Sequence, residues 1–279
     1  PATLLVMAGF AYKVAAVPFH LWCPDVYEGA PTPVAAFFSV GPKAAGFAML
    51  TRFLLGVFGG AGVMAEWGII FVIMSLLTMA VGNFSALQQS NLKRLMAYSS
   101  IAHAGYLLVA FPFLGGDQIA AVVFYIIVYL FMNLGAFLVI QVLEERFGIE
   151  TVDGCRGMGW RVPWLGMLMA IFLFSLTGLP PFAGFIGKLL LFGYVIKTGS
   201  LGIVLVVVAV LFSAMSLYYY ARIVGAMFLR QPAGESPSVR IPLLYHIVLW
   251  GLAIPTVVLG LFWDDLYRLA LLSVRGLGM

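Results

Sequence analysis

The chain is dominated by apolar runs long enough to cross a bilayer. A spanning α-helix needs about 20 predominantly apolar residues at a rise of about 1.5 Å each. Eight stretches meet that length: 2–22, 32–58, 66–87, 92–114, 118–142, 163–197, 201–229 and 242–263. Most linkers between them are short; the longest polar stretches are 144–161 and 230–240. Charged residues make up only 9% of the chain, where a soluble domain carries about 25%. The expected fold is therefore an all-α polytopic membrane protein with almost no mass outside the bilayer. The tail, 264–279, is mildly amphipathic and is expected to lie in the membrane interface.

Charge sets the topology and excludes some functions. The net charge of +4 fits loop bias rather than nucleic-acid affinity. Alternate loops fall on opposite sides. One side carries Lys93, Arg94, Arg146, Arg156, Arg161, Arg230 and Arg240; the other carries Arg52, Lys197, Arg268 and Arg275. The positive-inside rule assigns the richer side to the cytoplasm. Cys23 and Cys155 have no metal-ligand spacing, and no nucleotide-binding glycine pattern is present. No cofactor or metal is expected in this chain. The chain begins at Pro1, already inside an apolar run, and reads as a fragment lacking an N-terminal part.

Two spans look broken. In the first, Pro18 removes a helix donor and disfavours helical geometry at Val17. The sixth contains Gly178, Pro180 and Pro181 and, over residues 163–197, is too long for one straight crossing. Broken membrane helices survive only where their freed backbone meets protein or water, and paired breaks mark ion sites in transporters.

Three lysines sit beside these interruptions or beside Pro42: Lys13, Lys43 and Lys188. A charged side chain at the bilayer centre costs about 2.5–3.5 kcal/mol on insertion scales, so three cost roughly 8–10 kcal/mol if left dry and unpaired. Burial disfavours a charged amine and a nearby carboxylate favours it, so a buried lysine can exchange its proton when a neighbouring charge moves. The alternative for Lys13 and Lys188 is snorkelling to the headgroups. For Lys43, in a stretch flanked by Gly41 and Gly46, it is a single structural hydrogen bond.

Two histidines join them. His20 follows Pro18, and an imidazole titrating near neutrality suits a proton shuttle. His103 shares a helix face with Ser99 and Tyr106, a polar stripe consistent with a water-bearing channel. A backbone-satisfied histidine and an interhelical hydrogen bond are the respective alternatives. His246 reads as structural, Asn133 as glue between helices, and Glu144, Glu145 and Arg146 as a solvated helix end, with a proton exit near the surface as the alternative. Arg222 fits an interfacial belt or a relay partner equally. No span interior contains Asp or Glu, so the lysines are expected to find their acidic partner in upstream helices or another subunit.

Several stretches carry a resemblance. They are 12–22 (Tyr-Lys-Val-Ala-Ala-Val-Pro-Phe-His-Leu-Trp), 24–33 (Pro-Asp-Val-Tyr-Glu-Gly-Ala-Pro-Thr-Pro), 91–103 (Asn-Leu-Lys-Arg-Leu-Met-Ala-Tyr-Ser-Ser-Ile-Ala-His) and 178–188 (Gly-Leu-Pro-Pro-Phe-Ala-Gly-Phe-Ile-Gly-Lys). Together they closely resemble the subunit N family of bacterial NADH-quinone oxidoreductase, respiratory complex I, over nearly the whole chain. The Ser-Ser-Ile-Ala-His and Gly-Leu-Pro-Pro stretches are shared with antiporter-like subunits generally; the Pro-Asp-Val-Tyr-Glu-Gly-Ala-Pro run is more specific.

The resemblance implies a fourteen-helix fold with two inverted five-helix repeats, of which this chain looks like helices seven to fourteen. Residues 1–58 would end the first repeat, 59–229 would form the second, and 230–279 the last helix and tail. It implies a proton relay through Lys13, Lys43, Lys188 and His20, with His103 added from its polar stripe. The glutamate that pairs with the first lysine would lie upstream. It further implies a multi-pass protein of the bacterial inner membrane, a subunit of an oxidoreductase whose partners are the lipid bilayer and other complex I membrane subunits. NADH, FMN, iron–sulfur clusters and quinone would be handled elsewhere in the complex. A cation/proton antiporter subunit is the alternative function, and a purely structural anchor for a redox complex is a third.

Overall fold

The computed structural model describes residues 2–58, 67–231 and 240–275. The expected start of the third span at Glu66, together with Pro1 and residues 276–279 of the tail, lies outside the described residues. In chain order the helices are α1 (Ala2–Val14), α2 (Trp22–Gly29), α3 (Thr32–Phe58), α4 (Gly68–Leu87), α5 (Leu92–Leu108), α6 (Gly116–Phe147), α7 (Met158–Arg161), α8 (Pro163–Thr177), α9 (Ala183–Ile196), α10 (Ser200–Leu229), α11 (Leu243–Leu261) and α12 (Asp264–Arg275). Among the described residues the one β feature is an isolated bridge between Asn91 and Thr151.

Six helices are long and apolar enough to cross a membrane unbroken: α3, α4, α5 with the short turn behind it, α6, α10 and α11. The two spans expected to be broken each come out interrupted: α1 ends at Val14 and the eight-residue α2 begins only at Trp22, the expected end of the first span, while the sixth span divides into α8 and α9. They share one backbone path. Each first half leaves its helix through a positive-φ residue, Ala15 (φ 60°) or Gly178 (φ 89°), and a cis X–Pro bond follows, Val17–Pro18 or Pro180–Pro181. Gly178 suits its place because it has no Cβ to oppose the left-handed conformation. Freed backbone groups find partners at both breaks: the Val17 N–H donates to Thr78 Oγ1 at 3.0 Å, and the Gly184 N–H donates to Ser175 Oγ at 3.1 Å.

Helix α5 is the centre of the bundle, and nearly every one of its residues is buried. Its closest neighbour is α4. A Cβ on Gly82 would lie 2.5 Å from the Ala102 nitrogen, and one on Gly105 would lie 2.7 Å from the Met79 nitrogen. Small residues here let two backbones touch, which is how membrane helices gain packing without a hydrophobic drive between them. The outward faces of α10 and α11 present Val204, Val207, Leu211, Ile247 and Ile254 to the exterior, as a lipid-facing surface requires.

The last helix, α12, buries Tyr267, Ala270 and Val274, one face at helical spacing, and packs along α6. That matches its amphipathic sequence. Other boundaries moved. The fourth span stops as an α-helix at Leu108 and finishes in a 3-10 turn, Phe111–Phe113, around Pro112. The fifth runs on to Phe147. The segment 153–161 meets α8 at 119°, ahead of Pro163, because the residue before a proline is pushed out of helical geometry.

The end of α6 corrects a sequence expectation. Glu144 is not a solvated helix end. Its carboxylate accepts from Lys93 Nζ at 3.0 Å and from the Thr32 hydroxyl, and Lys93 also donates to the Ala30 carbonyl at 3.3 Å. Arg94 beside it pairs with Asp25 and Glu28 of α2. The two basic residues that open α5 thus clamp α2, α3 and α6 together.

Candidate functional site

Lys43 lies in the middle of α3 and is 4% exposed. Its ammonium donates to the Ser100 carbonyl at 2.9 Å and to the Ser100 hydroxyl at 2.5 Å. Both acceptors belong to α5. Three residues further along α5, His103 is also buried; its Nδ1 bonds the Tyr125 hydroxyl at 2.7 Å, and its Nε2 faces the Tyr220 hydroxyl at 3.4 Å. Tyr220 in turn is hydrogen-bonded to Ser99. Both imidazole nitrogens therefore face hydroxyls that can donate or accept.

Another three residues on, the ring of Tyr106 lies under the Lys188 ammonium, 4.7 Å from it, within range of a cation–π contact. The Tyr106 hydroxyl accepts from Asn83 Nδ2, and Asn83 Oδ1 accepts from Tyr219, each at 3.2 Å. Ser100, His103 and Tyr106 thus form a stripe at helical spacing that rises about 9 Å along α5, with Lys43 at one end and Lys188 at the other.

Lys188 is 5% exposed and donates to the carbonyls of Leu176 (3.0 Å) and Thr177 (2.8 Å) and to Ser213 Oγ (2.7 Å). The break after α8 is what supplies those carbonyls. A helix C-terminus leaves its last carbonyls unpaired and carries partial negative charge, so the severed helix forms a cation site for the lysine of α9. Beside it is a cavity of about 420 Å³, lined by residues including Thr177, Phe185, Lys188, Phe192 and Val210.

Within this chain, carbonyls and hydroxyls take the place nearest each of the two buried ammonium groups, those of Lys43 and Lys188.

The other sequence candidates stand apart. Lys13 is in the last turn of α1, not far from a helix end, and it is exposed. Its stem lies against Gly46 of α3, where an added Cβ would meet Lys13 Cγ at 3.4 Å. His20 lies in the first break, 8% exposed, and its Nδ1 has no hydrogen-bond partner among the described residues. Neither is joined to the stripe. Asn133 ties α6 to α3 by donating to Ser39 Oγ, as expected of interhelical glue. His246 stacks on Trp164 with ring centroids 3.9 Å apart. Arg222 is a cap: it donates to the carbonyl of Leu87, the last residue of α4, and to that of Gln89 just beyond it.

Sequence reading missed Ser100, Tyr125, Tyr220 and Ser213. Ser100 is adjacent to the Ser99 that shares the helix face of His103, and its role needed the position of α3. Tyr125 and Tyr220 lie in apolar spans, and only the packing of α6 and α10 on α5 brings them to His103.

Comparison with known proteins follows this geometry. Residues 2–213 match the family described as NADH:quinone oxidoreductase/Mrp antiporter, TM. A curated relative from Sorangium cellulosum, NADH-quinone oxidoreductase subunit N 2, is 51% identical over 278 residues, covering 98% of this chain and 55% of the relative. Subunit N from Anaeromyxobacter is 45% identical, covering 96% of this chain and 55% of the relative. Among solved structures, a chain of respiratory complex I from Thermus thermophilus has a TM-score of 0.78 at 35% identity, covering 93% of this chain and 56% of that one. A chain of the Mrp complex from Dietzia has a TM-score of 0.89 at 23% identity, covering 98% and 58%; that likeness is one of fold. The chain spans about half the length of the curated relatives it matches.

Proposed function

The chain belongs to the NADH:quinone oxidoreductase/Mrp antiporter transmembrane family, and from that premise we propose that it works in a proton-translocating membrane subunit of a bacterial NADH-quinone oxidoreductase. The observation that carries the reading is the buried line Lys43–Ser100–His103–Tyr106–Lys188 through the central helix. Two cations held at membrane depth by carbonyls and hydroxyls, with an imidazole between them, can load, pass and release protons.

Each residue has a role in this reading. Lys43 and Lys188 are the proton-holding sites. Ser100 fixes Lys43, and the α8 terminus with Ser213 fixes Lys188. His103 takes a proton at one ring nitrogen and releases one from the other, toward Tyr125 or Tyr220. Tyr125 also packs on Gly187, where an added Cβ would meet its ring at 2.7 Å, so it reaches from His103 to the residue beside Lys188. A charge moved nearby changes how tightly each lysine holds its proton. Lys13, exposed at the end of α1, is the entry site, and the acid that pairs with it comes from helices or subunits that cover that face. His20 serves the same half. Residues 1–58 end one repeat and 59–229 form the second in this reading, and one break falls in each. Other membrane subunits of the complex are the partners, and the redox groups and quinone belong to them. The location is the bacterial inner membrane.

Similarity to subunit N relatives at 51% and 45% identity supports this reading over a free-standing cation/proton antiporter. The test is Lys43→Met in the full-length subunit of the assembled complex, reconstituted in vesicles. NADH-driven proton uptake is expected to fall several-fold, with no dependence on sodium. Wild-type uptake in a fully assembled complex would overturn the reading, and sodium-dependent uptake would favour the antiporter.

A further inference from the structure

No direct hydrogen bond joins Lys43 to His103. Lys43 uses two of its three N–H groups on Ser100, and the third has no acceptor among the described residues. On α6, Tyr129 is 4% exposed; its hydroxyl makes no hydrogen bond of normal geometry among the described residues, and the Ser100 hydroxyl is the polar group it faces. Its ring tilts over His103 with centroids 5.0 Å apart. Leaving a buried hydroxyl unpaired costs on the order of 1–3 kcal/mol, so an orphan here calls for an account.

The two groups line the same small cavity. Its volume is about 10 Å³, and Ser100 and His103 complete its polar wall while Phe47, Ala104 and Ile126 form part of the apolar one. A cavity of about that size accommodates one water, provided it finds two to four polar partners. Lys43, Tyr129 and His103 are three. His103 Nε2 is the more weakly held of the two ring nitrogens, because its contact with Tyr220 is 3.4 Å, long for a nitrogen–oxygen hydrogen bond, while Nδ1 is bonded to Tyr125 at 2.7 Å.

We propose that this cavity is a single-water site, and that Tyr129 is the positioning residue that holds the water between Lys43 and His103. The proposal rests on the proton-transfer reading above. The water accepts from a Lys43 N–H and from the Tyr129 O–H, and donates to His103 Nε2. In the transfer Lys43 gives up one proton to the water oxygen, and the water gives one of its own to Nε2. The Tyr129 hydroxyl keeps its proton throughout. Nothing is oxidised or reduced, and the water is regenerated.

The test uses the full-length subunit in the assembled complex, reconstituted in vesicles, with proton uptake measured per NADH oxidised. Tyr129→Phe removes the hydroxyl. Ala104→Val fills the cavity and leaves the hydroxyl in place. Each is expected to slow uptake about tenfold, the effect of losing one hydrogen bond in the transfer step. Because both remove the same water, the double variant should also be about tenfold slower, not about a hundredfold as independent effects would give. Tyr245→Phe, on α11 away from the line, should leave uptake unchanged. Wild-type uptake in Tyr129→Phe, or multiplying effects in the double variant, would overturn the proposal. If Tyr129→Phe fails to assemble, Ala104→Val decides alone, with wild-type uptake counting against the water. Lys43→Met separates the two levels. If it pumps normally, the lysine reading falls; if it stops pumping while Tyr129→Phe does not, only the water site falls.

Discussion

The ion pair between Lys93 and Glu144 should be a strong coupling in this fold, and its strength can be worked from the geometry. The charges are 3.0 Å apart, with side-chain exposures of 9% and 27%. Coulomb attraction at that distance, with an effective dielectric of about 20, is about 5.5 kcal/mol before desolvation is subtracted. Partial burial costs each ion several kcal/mol, offset by the Thr32 hydroxyl and the Ala30 carbonyl. A net coupling of about 2 kcal/mol remains, within the range seen for close desolvated pairs. The neighbouring pair Arg94–Asp25 is closer, at 2.7 Å, but its side chains are 31% and 73% exposed. Screening should reduce it to about 0.5 kcal/mol or less. A double-mutant cycle with Lys93→Met and Glu144→Gln, read by denaturation of the purified full-length subunit in mixed micelles, measures the first coupling. A parallel cycle with Arg94→Met and Asp25→Asn measures the second. If the exposed pair couples as strongly as the buried one, burial is not what sets the strength, and the reasoning is wrong.

Other outcomes follow from single positions. Gly184→Ala should abolish stable folding of the subunit: the new Cβ would lie 1.8 Å from the Ser175 carbonyl oxygen, and backbone cannot yield as a flexible side chain can; recovery of normal amounts of folded protein from membranes would contradict this. Asp153 is fully exposed, and its bonds to Arg156, with the Arg230 charge adding to them, hold its carboxyl below the ordinary value of 3.8. A carboxyl lowered in the folded state contributes stability above its unfolded value and loses it as pH falls through the folded one. Asp153→Asn should therefore lower thermal stability slightly at neutral pH, with the difference vanishing only below about pH 3.8; a difference that grows on acidification would reverse the sign of the argument.

How much of this was legible in the sequence depends on which contacts set each feature. The spans follow from local composition, so length and hydropathy found them. Both breaks were visible too, because Pro18 and Pro180 act on their own backbone. Glu144 was misread because its partners Lys93 and Thr32 lie on two other helices, and only packing brings them together. What holds Lys188 inside this chain could not be read from the side chains, because two of its acceptors are backbone. Once α8 is severed at Gly178, its carbonyls become the acceptors, and no residue type in the sequence announces a carbonyl. His103 was found from the stripe it shares with Ser99 and Tyr106. Its tyrosine partners, from α6 and α10, were hidden because an aromatic in an apolar span looks the same whether it faces lipid or a histidine.

The central claim is that the line from Lys43 to Lys188 carries protons. Lys188→Met tests it most directly, because that lysine sits at the end of the line and contacts no ion-paired residue whose loss would unfold the bundle. In the assembled complex in vesicles, protons taken up per NADH oxidised are expected to drop, while the complex keeps its full set of subunits. An unchanged ratio at normal assembly would contradict the account.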